Sequence, residues 1–209
     1  MKIAVIGAAG RTGRQVVRQA LDRGHEVVAV ARSPEKLDVS GDRLTVAAAD
    51  VHDADALAAA VVGADAIVTT FGAAAGRKPV DIYSAGITNV LAAMDGGGIR
   101  RLAVISASPA GPRAEQPVAL RLLVLPILDR LFGGGYADLR RMETVLARRS
   151  DLEWACLRPP RLLDRPASGA YRLDRKPLSR SLTYPDLATA LLDCADGTEP
   201  RTGTLYVAD

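Results

Sequence analysis

Three glycines near the amino terminus, Gly7, Gly10 and Gly13, are each separated from the next by two residues. An apolar run at residues 3–6, typical of a buried parallel strand, precedes them, and residues 14–21 carry apolar side chains at helical spacing. Glycines between such a strand and helix permit a tight turn, close approach of the backbone to phosphate, and close helix packing. The pattern therefore predicts a site for the pyrophosphate of a dinucleotide at a helix N-terminus.

The end of the next predicted strand, residues 26–31, is followed by Arg32 and Ser33. A dinucleotide-binding unit contacts the adenosine ribose about 20 residues beyond its glycine loop, and an acidic residue there favours NAD. Arg32 instead offers a guanidinium fork to a 2′-phosphate, with the Ser33 hydroxyl as a further donor. We therefore expect NADPH to be preferred over NADH. The alternative is that Arg32 is only a solvated loop residue.

Tyrosine and lysine are not spaced in this chain as an acid-base pair. Reduction of an isolated carbonyl generally needs a proton donor beside the oxygen, and a common solution is Tyr-x-x-x-Lys. The nearest match here is Tyr136 with Arg140. Arginine cannot shuttle a proton as lysine can, so Tyr136 is a candidate catalytic acid whose alternative role is packing. Because a flavin or quinone can take its proton from solvent, the missing pair favours hydride transfer to a planar conjugated acceptor.

Small polar residues follow the fifth predicted strand, where Ser106 and Ser108 occur. Ligands of parallel sheets lie over the carboxyl ends of the strands. Ser106 is a candidate to bond the nicotinamide carboxamide or the acceptor, with Ser108 assisting, and the alternative for both is to satisfy backbone groups. Phe71 and residues 120–132 are candidates for an apolar wall or lid of the acceptor pocket, with core packing as the alternative.

Strand and helix patterns alternate along the chain without a linker or a repeat. This order predicts an α/β fold, a single Rossmann-like domain over residues 1–209 with a doubly wound, mostly parallel sheet. Substrate-side elements are expected mainly in residues 106–135 and 158–185. Pro126 is expected to interrupt one helix, which residues 133–135, all glycine, separate from the next. The predicted strands span residues 3–6, 26–31, 44–49, 64–70, 101–105, 153–157 and 204–207. The predicted helices span residues 14–21, 53–62, 80–94, 117–132, 136–149 and 185–194.

The composition of the 209 residues, 48% hydrophobic and 24% charged, suffices for one substantial core. The net charge of +3 is scattered, so we expect a small-molecule acceptor and no nucleic-acid partner. No apolar run reaches the roughly 20 residues that span a bilayer, and no signal-peptide pattern is present. We therefore expect a cytoplasmic protein without a membrane partner, and a protein partner has no support. Cys156 and Cys194 are expected to be buried small hydrophobes, with no disulfide and no metal site.

The chain resembles, over nearly its whole length, the family of atypical short-chain reductases that includes biliverdin-IXβ reductases and flavin reductases. The spacing G-x-x-G-x-x-G is similar to that of short-chain dehydrogenases/reductases. The more specific likeness lies in the carboxyl-terminal part, in LEWACLRPP at residues 152–160, RPASGAY at 165–171 and SLTYPDLA at 181–188. The helical sequence DLRRMETVL at 138–146 is also similar. The resemblance implies NADPH-dependent reduction of flavins or related flat acceptors.

The resemblance also implies roles for residues along the chain. Residues 7–13 are expected to hold the pyrophosphate, residues 32–33 the 2′-phosphate, and residues 50–51 to flank adenine. Residues 70–72 are expected beneath the ribose, with Ser106 beside the nicotinamide. The backbone near Pro159 is expected to place the carboxamide. The implied cofactor-binding residues are Gly7, Ala9, Gly10, Arg11, Thr12, Gly13, Arg32, Ser33, Asp50, Val51, Thr70, Phe71, Gly72, Ser106 and Pro159.

The chain departs from this family after the double proline, where Arg161 replaces a histidine. Arg161 is a candidate, with Ser108, for binding a carboxylate or phosphate of the substrate, and a solvent-facing loop residue is the alternative. Two other functions stay open. A regulator would bind NADP(H) through the same residues without turnover, and a ketoreductase or epimerase-like enzyme would use Tyr136 as its acid.

Overall fold

The computed structural model describes residues 1–73, 76, 78–116, 118, 120–178, 181–199 and 202–209. Strands and helices alternate through most of this part of the chain, as the pattern predicts. The strands are β1 (Lys2–Ile6), β2 (Glu26–Ala31), β3 (Leu44–Ala48), β4 (Ala66–Thr69), β5 (Arg101–Ile105), β6 (Glu153–Arg158), β7 (Leu162–Leu163), β8 (Arg172–Asp174), β9 (Leu182–Thr183) and β10 (Gly203–Ala208). The helices are α1 (Arg11–Asp22), α2 (Ala54–Ala60), α3 (Ile82–Gly97), α4 (Leu125–Leu146) and α5 (Tyr184–Asp196).

The main sheet has the order β3-β2-β1-β4-β5-β6-β10-β8, and its strands are parallel except that β8 runs antiparallel to β10. The predicted doubly wound, mostly parallel sheet is therefore confirmed. The strand order reverses between β1 and β4, whose carboxyl ends lie side by side. In open parallel sheets this reversal opens a crevice in which ligands bind. A small parallel pair, β7 with β9, forms in a region where the sequence predicts a loop.

Alternate residues of each central strand face opposite layers of helices. In β1, Ile3 and Val5 join the core beneath α1 and α5, whereas Ala4 and Ile6 join the core beneath α2, α3 and α4. All four side chains are at most 1% exposed. Because both faces of the strand are buried, its sequence is continuously apolar rather than alternating. Packing on both faces of the sheet therefore fixes the positions of the carboxyl ends of β1, β4 and β5.

Helix α4 is longer than the sequence predicts. The expectation that residues 133–135 separate two helices is wrong, because α4 continues through all three glycines to Leu146. A glycine costs about 1 kcal/mol in a helix interior, which the packing of buried Leu139 and Met142 offsets. Pro126 lies in the first turn of α4, at the point where the π-helical turn Leu120–Val124 changes to an α-helix. The predicted start of this segment, Pro117, lies outside the described residues.

The residues before α4, Leu120–Val124, form a π-helical turn that leads directly into it. Several apolar side chains of this region are more than half exposed, including Leu122, Leu123 and Ile127. Within the described residues, none of the helices combines the length and the apolarity needed to cross a lipid bilayer.

Asp138 on α4 fixes the start of α3. Its carboxylate is fully buried and accepts hydrogen bonds from the backbone N–H of Tyr83 at 2.8 Å and from the hydroxyl of Ser84. A carboxylate at a helix N-terminus satisfies orphan N–H groups and interacts favourably with the helix dipole. This contact therefore ties the first turn of α3, including Tyr83, to the middle of α4.

Gly13 and Gly133 are both helical glycines, and their surroundings differ. A Cβ at Gly13 would lie 2.4 Å from the carbonyl oxygen of Gly7, whereas a Cβ at Gly133 would meet nothing within 4 Å. We expect Gly13→Ala to lower the free energy of unfolding by about 2–3 kcal/mol, because α1 would have to move off β1. Gly133→Ala should raise it by up to about 1 kcal/mol through better helix propensity. Urea unfolding measures both, and equal effects of the two variants would contradict the packing described for Gly13.

Candidate functional site

A groove crosses the carboxyl ends of the central strands at the point where the strand order reverses. It consists of two cavities, of about 240 and 390 Å³, on either side of the segment Thr70, Phe71 and Gly72, which lines both. The smaller cavity lies towards β2 and β3, and the larger lies towards β5 and α4. The groove therefore has two compartments, which share this segment as their common wall.

The glycine loop forms the floor where the two cavities meet. Gly7 has φ +88°, and a Cβ there would lie 2.5 Å from the backbone nitrogen of Phe71, so the fold itself requires glycine. Gly10 precedes α1 with φ −73°. A Cβ at Gly10 would meet only the Gly7 carbonyl oxygen, at 3.3 Å, and Thr70 at 3.9 Å. A Cβ at Gly10 would thus be less crowded than one at Gly7, but the Gly7 carbonyl would have to move by a few tenths of an ångström.

The first turn of α1 has the character of an anion site. Gly10 provides no side-chain cap, and the first turn contains no acidic residue that would repel an anion. The N-terminus of a helix presents free N–H groups and the positive end of its dipole. Thr12, in this turn, lines the larger cavity. These features fit a pyrophosphate group.

Thr70 holds the two sides of the loop together. Its hydroxyl lies 3.2 Å from the carbonyl oxygen of Ile6 and 3.1 Å from that of Gly7, and it donates to this pair of acceptors. The backbone N–H of Thr70 donates to the carbonyl oxygen of Ile6 at 2.7 Å. The Thr70 side chain is therefore committed to the glycine turn rather than directed at a ligand.

Basic side chains border the smaller cavity. Arg32, Ser33 and Lys36 line it together with apolar residues that include Val51. The Arg32 side chain is 69% exposed, and its Nε lies 3.7 Å from a carboxylate oxygen of Asp50, which is too long for a hydrogen bond. Lys36 was missed at the sequence level, and its signal is a lysine four residues after Arg32. Two cationic side chains and one hydroxyl therefore lie together at this cavity, and side chains of these types bind dianionic groups.

Aromatic side chains are concentrated around the larger cavity. The chain has only two phenylalanines and five tyrosines. Both phenylalanines and three of the tyrosines line this one cavity. Phe71 and Tyr83 are stacked with 6.4 Å between ring centroids, and Phe132 and Tyr136 lie 6.0 Å apart. The aromatic residues of the cavity are Phe71, Tyr83, Phe132, Tyr136 and Tyr184.

Tyr136 lines this cavity, but nothing near it makes it a better acid. Burial is the largest influence on its pKa and raises it, and the nearby side chains of Asp129 and Tyr83 raise it further. Arg140 is not among the groups that act on this pKa. The Tyr136 hydroxyl therefore stays protonated and is a weaker proton donor than a free phenol.

Tyr83 and Tyr184 were missed as site residues at the sequence level. The hydroxyl of Tyr83 accepts a hydrogen bond from the backbone N–H of Ala73 at 3.0 Å, and burial raises its pKa. The ring of Tyr184 lies 4.5 Å below the guanidinium of Arg11, within the range of a cation–π contact. Arg11 thus sits at the rim of the groove and lines neither of its two cavities.

Ser106, at the end of β5, is 4% exposed and lines the larger cavity. Its hydroxyl donates to Oε1 of Glu143 on α4 at 2.6 Å. Glu143 also accepts two hydrogen bonds from Arg158 on β6, at 2.9 and 2.6 Å. This buried network was missed at the sequence level, because Glu143 and Arg158 are 15 residues apart on different elements.

The guanidinium of Arg158 continues the network away from the cavity. It donates to the hydroxyl of Tyr206 at 3.2 Å, and Tyr206 in turn donates to Glu115 at 3.1 Å. Burial lowers the pKa of Arg158, but the hydrogen bonds and charge of Glu143 outweigh this and the pKa is raised. Burial is also the main reason why the pKa of Tyr206 is raised to about 12. Arg158 is therefore permanently charged and held from both sides.

Several of the sequence-based candidates do not line the groove. Ser108 is buried, its N–H donates to the Pro159 carbonyl at 2.8 Å, and its own carbonyl accepts from Gln116. Arg161 is exposed and lines neither cavity. The candidates that do line the two cavities are Gly7, Ala9, Gly10, Thr12, Arg32, Ser33, Val51, Thr70, Phe71, Gly72, Ser106 and Tyr136. The others, Arg11, Gly13, Asp50, Ser108, Pro159 and Arg161, lie beneath or beside the groove.

A family model described as NAD(P)H-binding matches residues 7–198, and the chain belongs to this family. Its cofactor is therefore a nicotinamide dinucleotide. A wide-type short-chain dehydrogenase/reductase from Veillonella parvula, solved in complex with NADP, shares the fold. The two chains are 19% identical with a TM-score of 0.81, over 100% of this chain and 94% of that one.

Curated relatives cover the chain to different extents. The uncharacterized protein YwnB of Bacillus subtilis is 27% identical over 202 residues, 92% of this chain and 91% of its own. The 2-alkyl-3-oxoalkanoate reductase of Stenotrophomonas maltophilia is 32% identical over 195 residues, 83% of this chain and 58% of that protein. An uncharacterized protein of Mycobacterium tuberculosis is 38% identical over 120 residues, which are 57% of this chain and 13% of that protein.

Gly10 provides a test of the glycine loop that separates binding from stability. We expect Gly10→Ala to weaken NADP+ binding by at least about tenfold, because a methyl group would occupy the space nearest the helix N-terminus. The free energy of unfolding should fall by only about 1 kcal/mol, because the Gly7 carbonyl needs to move by only a few tenths of an ångström. Calorimetric titration and urea unfolding of the same samples measure the two effects. Unchanged NADP+ affinity would contradict the placement of the pyrophosphate at Gly10.

Proposed function

We propose that the chain is an NADPH-dependent reductase that transfers hydride to a planar conjugated acceptor, such as a flavin, a quinone or a tetrapyrrole-like molecule. The supporting observation is the ring-lined cavity, in which both phenylalanines and three of the five tyrosines meet. Aromatic walls favour flat ligands because offset stacked and edge-to-face arrangements both contribute beyond the area they bury. A cavity of about 390 Å³ is also in the range of small-molecule sites.

The cofactor would cross the groove from the smaller to the larger cavity. The α1 N-terminus above Gly10 would hold its pyrophosphate, and Arg32, Ser33 and Lys36 would hold a 2′-phosphate. The segment Thr70 to Gly72 would separate its adenosine half from its nicotinamide half. When bound, the reduced nicotinamide supplies the hydride. The residues of this chain position the two flat partners against each other, and positioning of this kind is a large source of rate.

The acid-base chemistry of the cavity supports an acceptor that does not need a proton from the protein. The pKa of Tyr136 is raised, chiefly by burial, and that of Tyr83 is raised as well. Within the part of the chain that the structure describes, no lysine is among the groups that act on either pKa. Segments expected on the substrate side, residues 106–135 and 158–185, contribute Ser106, Phe132 and Tyr184 to this cavity, while Tyr136 lies one residue beyond them.

A ketoreductase is the second candidate function. It is favoured by the likeness to the 2-alkyl-3-oxoalkanoate reductase and by the place of Tyr136 in the larger cavity. In this reaction Tyr136 would donate the proton to the carbonyl oxygen, and loss of its hydroxyl would abolish turnover.

The two functions are separated by initial rates of NADPH oxidation with FMN, a quinone or a 3-oxo ester as acceptor. We expect the wild-type protein to reduce FMN or the quinone faster than the ester. Tyr136→Phe should keep the rate with the conjugated acceptor within about twofold, because the proton comes from solvent. Reduction of the ester that disappears in Tyr136→Phe would instead establish the ketoreductase. Binding of NADPH without turnover of any acceptor would indicate a cofactor-responsive regulator.

The preference for NADPH is expected to depend on Arg32 and Lys36. Arg32→Ala should weaken NADPH binding by about tenfold and leave NADH binding unchanged, because only the 2′-phosphate is lost as a partner. Lys36→Ala should have a smaller effect in the same direction, and the double variant should bind both cofactors equally. Arg18→Ala is the matched control, because Arg18 is an exposed arginine on α1 that pairs with Asp38 outside both cavities. Equal wild-type affinity for the two cofactors, measured by fluorescence titration, would contradict this assignment.

A further inference from the structure

The hydroxyl of Ser106 has a fixed hydrogen-bond polarity. It lies in the wall of the larger cavity and donates to Glu143 at 2.6 Å. The backbone N–H of Ser106 is also committed, to the carbonyl of Leu157 at 2.7 Å. A serine hydroxyl has one proton and two acceptor positions. Because the Ser106 hydroxyl donates its proton to Glu143, it can only accept a hydrogen bond from a ligand in the cavity.

Glu143 determines this polarity because it is held as a carboxylate. Both of its oxygens accept from Arg158, and the side chains of Glu143 and Arg158 are 10% and 11% exposed. An ionised carboxylate accepts hydrogen bonds and donates none, so the proton between Ser106 and Glu143 must come from the serine. Breaking this bond would leave a buried charge poorly satisfied, which is costly.

Cys156 is the other ionisable group that faces Ser106. Burial raises the pKa of its thiol well above the ordinary value, and the charge of Glu143 raises it further. Cys156 is therefore a neutral thiol and a weak hydrogen-bonding partner. A hydrogen bond with Ser106 and the charge of Arg158 lower this pKa, but burial outweighs them, so the thiol is a weaker acceptor for the Ser106 proton than the Glu143 carboxylate.

We propose that Ser106 Oγ accepts a hydrogen bond from an amide-type N–H of the ligand in the larger cavity, and that Glu143 is the positioning residue that enforces this. The proposal rests on the proposed function, because it refines the choice of ligand in the same cavity. Two ligands have such a group, the nicotinamide carboxamide and a ring acceptor with an imide or lactam N–H, as in a flavin. A quinone presents only acceptors and gains nothing from Ser106. The same polarity prevents Ser106 from donating to a substrate carbonyl.

The first arm of the test measures binding alone and needs no turnover. NADP+ is compared with its 3-acetylpyridine analogue, in which a methyl group replaces the carboxamide nitrogen. If the carboxamide is the donor, wild-type protein should bind NADP+ about five- to tenfold more tightly, the value of one hydrogen bond to a neutral acceptor.

The second arm measures kcat/KM for NADPH-dependent reduction of lumiflavin and of 3-methyllumiflavin, which lacks the imide N–H. If the acceptor is the donor, wild-type protein should prefer lumiflavin by a similar factor of about five to ten. At least one of the two arms must show discrimination in the wild-type protein.

Three variants test whether Ser106 and Glu143 cause the discrimination. Ser106→Ala should reduce the ratio of the two affinities, or of the two kcat/KM values, to near one. The double variant Glu143→Leu with Arg158→Met keeps Ser106 but frees its proton, and replacing a buried pair by apolar residues of similar volume preserves folding in other proteins. Its ratio should also fall to near one, although any effect of ligand size would persist. Thr144→Ala removes an exposed hydroxyl next to Glu143 in sequence and should leave the ratio unchanged. Thermal unfolding checks that each variant is folded.

The results of the two arms and of the three variants test the proposed role of Ser106. Discrimination in either arm that is lost in Ser106→Ala and in the double variant supports the acceptor role and identifies its source. Lack of discrimination in both arms, or discrimination that persists at its wild-type size in either variant, would overturn it. If NADPH binds but no flavin is reduced, the proposed reductase function fails, and the first arm alone decides whether Ser106 accepts from the carboxamide.

Discussion

The close approach of three backbone segments at the end of β1 is the constraint on which the rest of the structure depends. Without a Cβ at Gly7 and Gly13, the chain after β1, the start of α1 and the segment after β4 meet within van der Waals distance. The Thr70 hydroxyl, bonded to the carbonyls of Ile6 and Gly7, fastens the junction. This junction places the N-terminus of α1 in the groove and makes Thr70 to Gly72 the divide between the two cavities. The two cavities are separate because of this packing.

The buried pair of Glu143 and Arg158 has a corresponding role on the far side of the groove. It joins α4 to β6, and through Ser106 it reaches the end of β5. Asp138, one turn earlier on α4, joins the same helix to the first turn of α3. Because of these two carboxylates, a single helix fixes both the polar wall of the larger cavity and the aromatic wall near Tyr83. The cavity is thus held by charged contacts behind it, which leaves its own surface largely apolar.

The sequence was sufficient to predict the strands and helices whose apolar residues follow a simple pattern, either a continuous run or a helical spacing. The predicted bounds of β2 and β5 are those of the structure, because continuous apolar runs between turn residues define them. The prediction divided helix α4 into two helices, which is wrong because tertiary packing outweighs the low helix propensity of residues 133–135. Strands β7, β8 and β9 are only two or three residues long, too short for a periodic signal. Tyr83, Glu143 and Tyr184 were missed because their roles arise from contacts between distant elements. The likeness to biliverdin-IXβ reductases stays a prediction.

In the proposed reaction, reduced cofactor and flat acceptor meet directly in the larger cavity, each held in one orientation. This can be measured in a single-turnover experiment with excess protein, anaerobic flavin, and NADPH deuterated at one or the other C4 position of the nicotinamide. We expect deuterium on one face to slow flavin reduction and deuterium on the other face to leave the rate unchanged. Equal rates for both labelled cofactors, or no flavin reduction by bound NADPH, would show that the two molecules do not react in this cavity in one orientation.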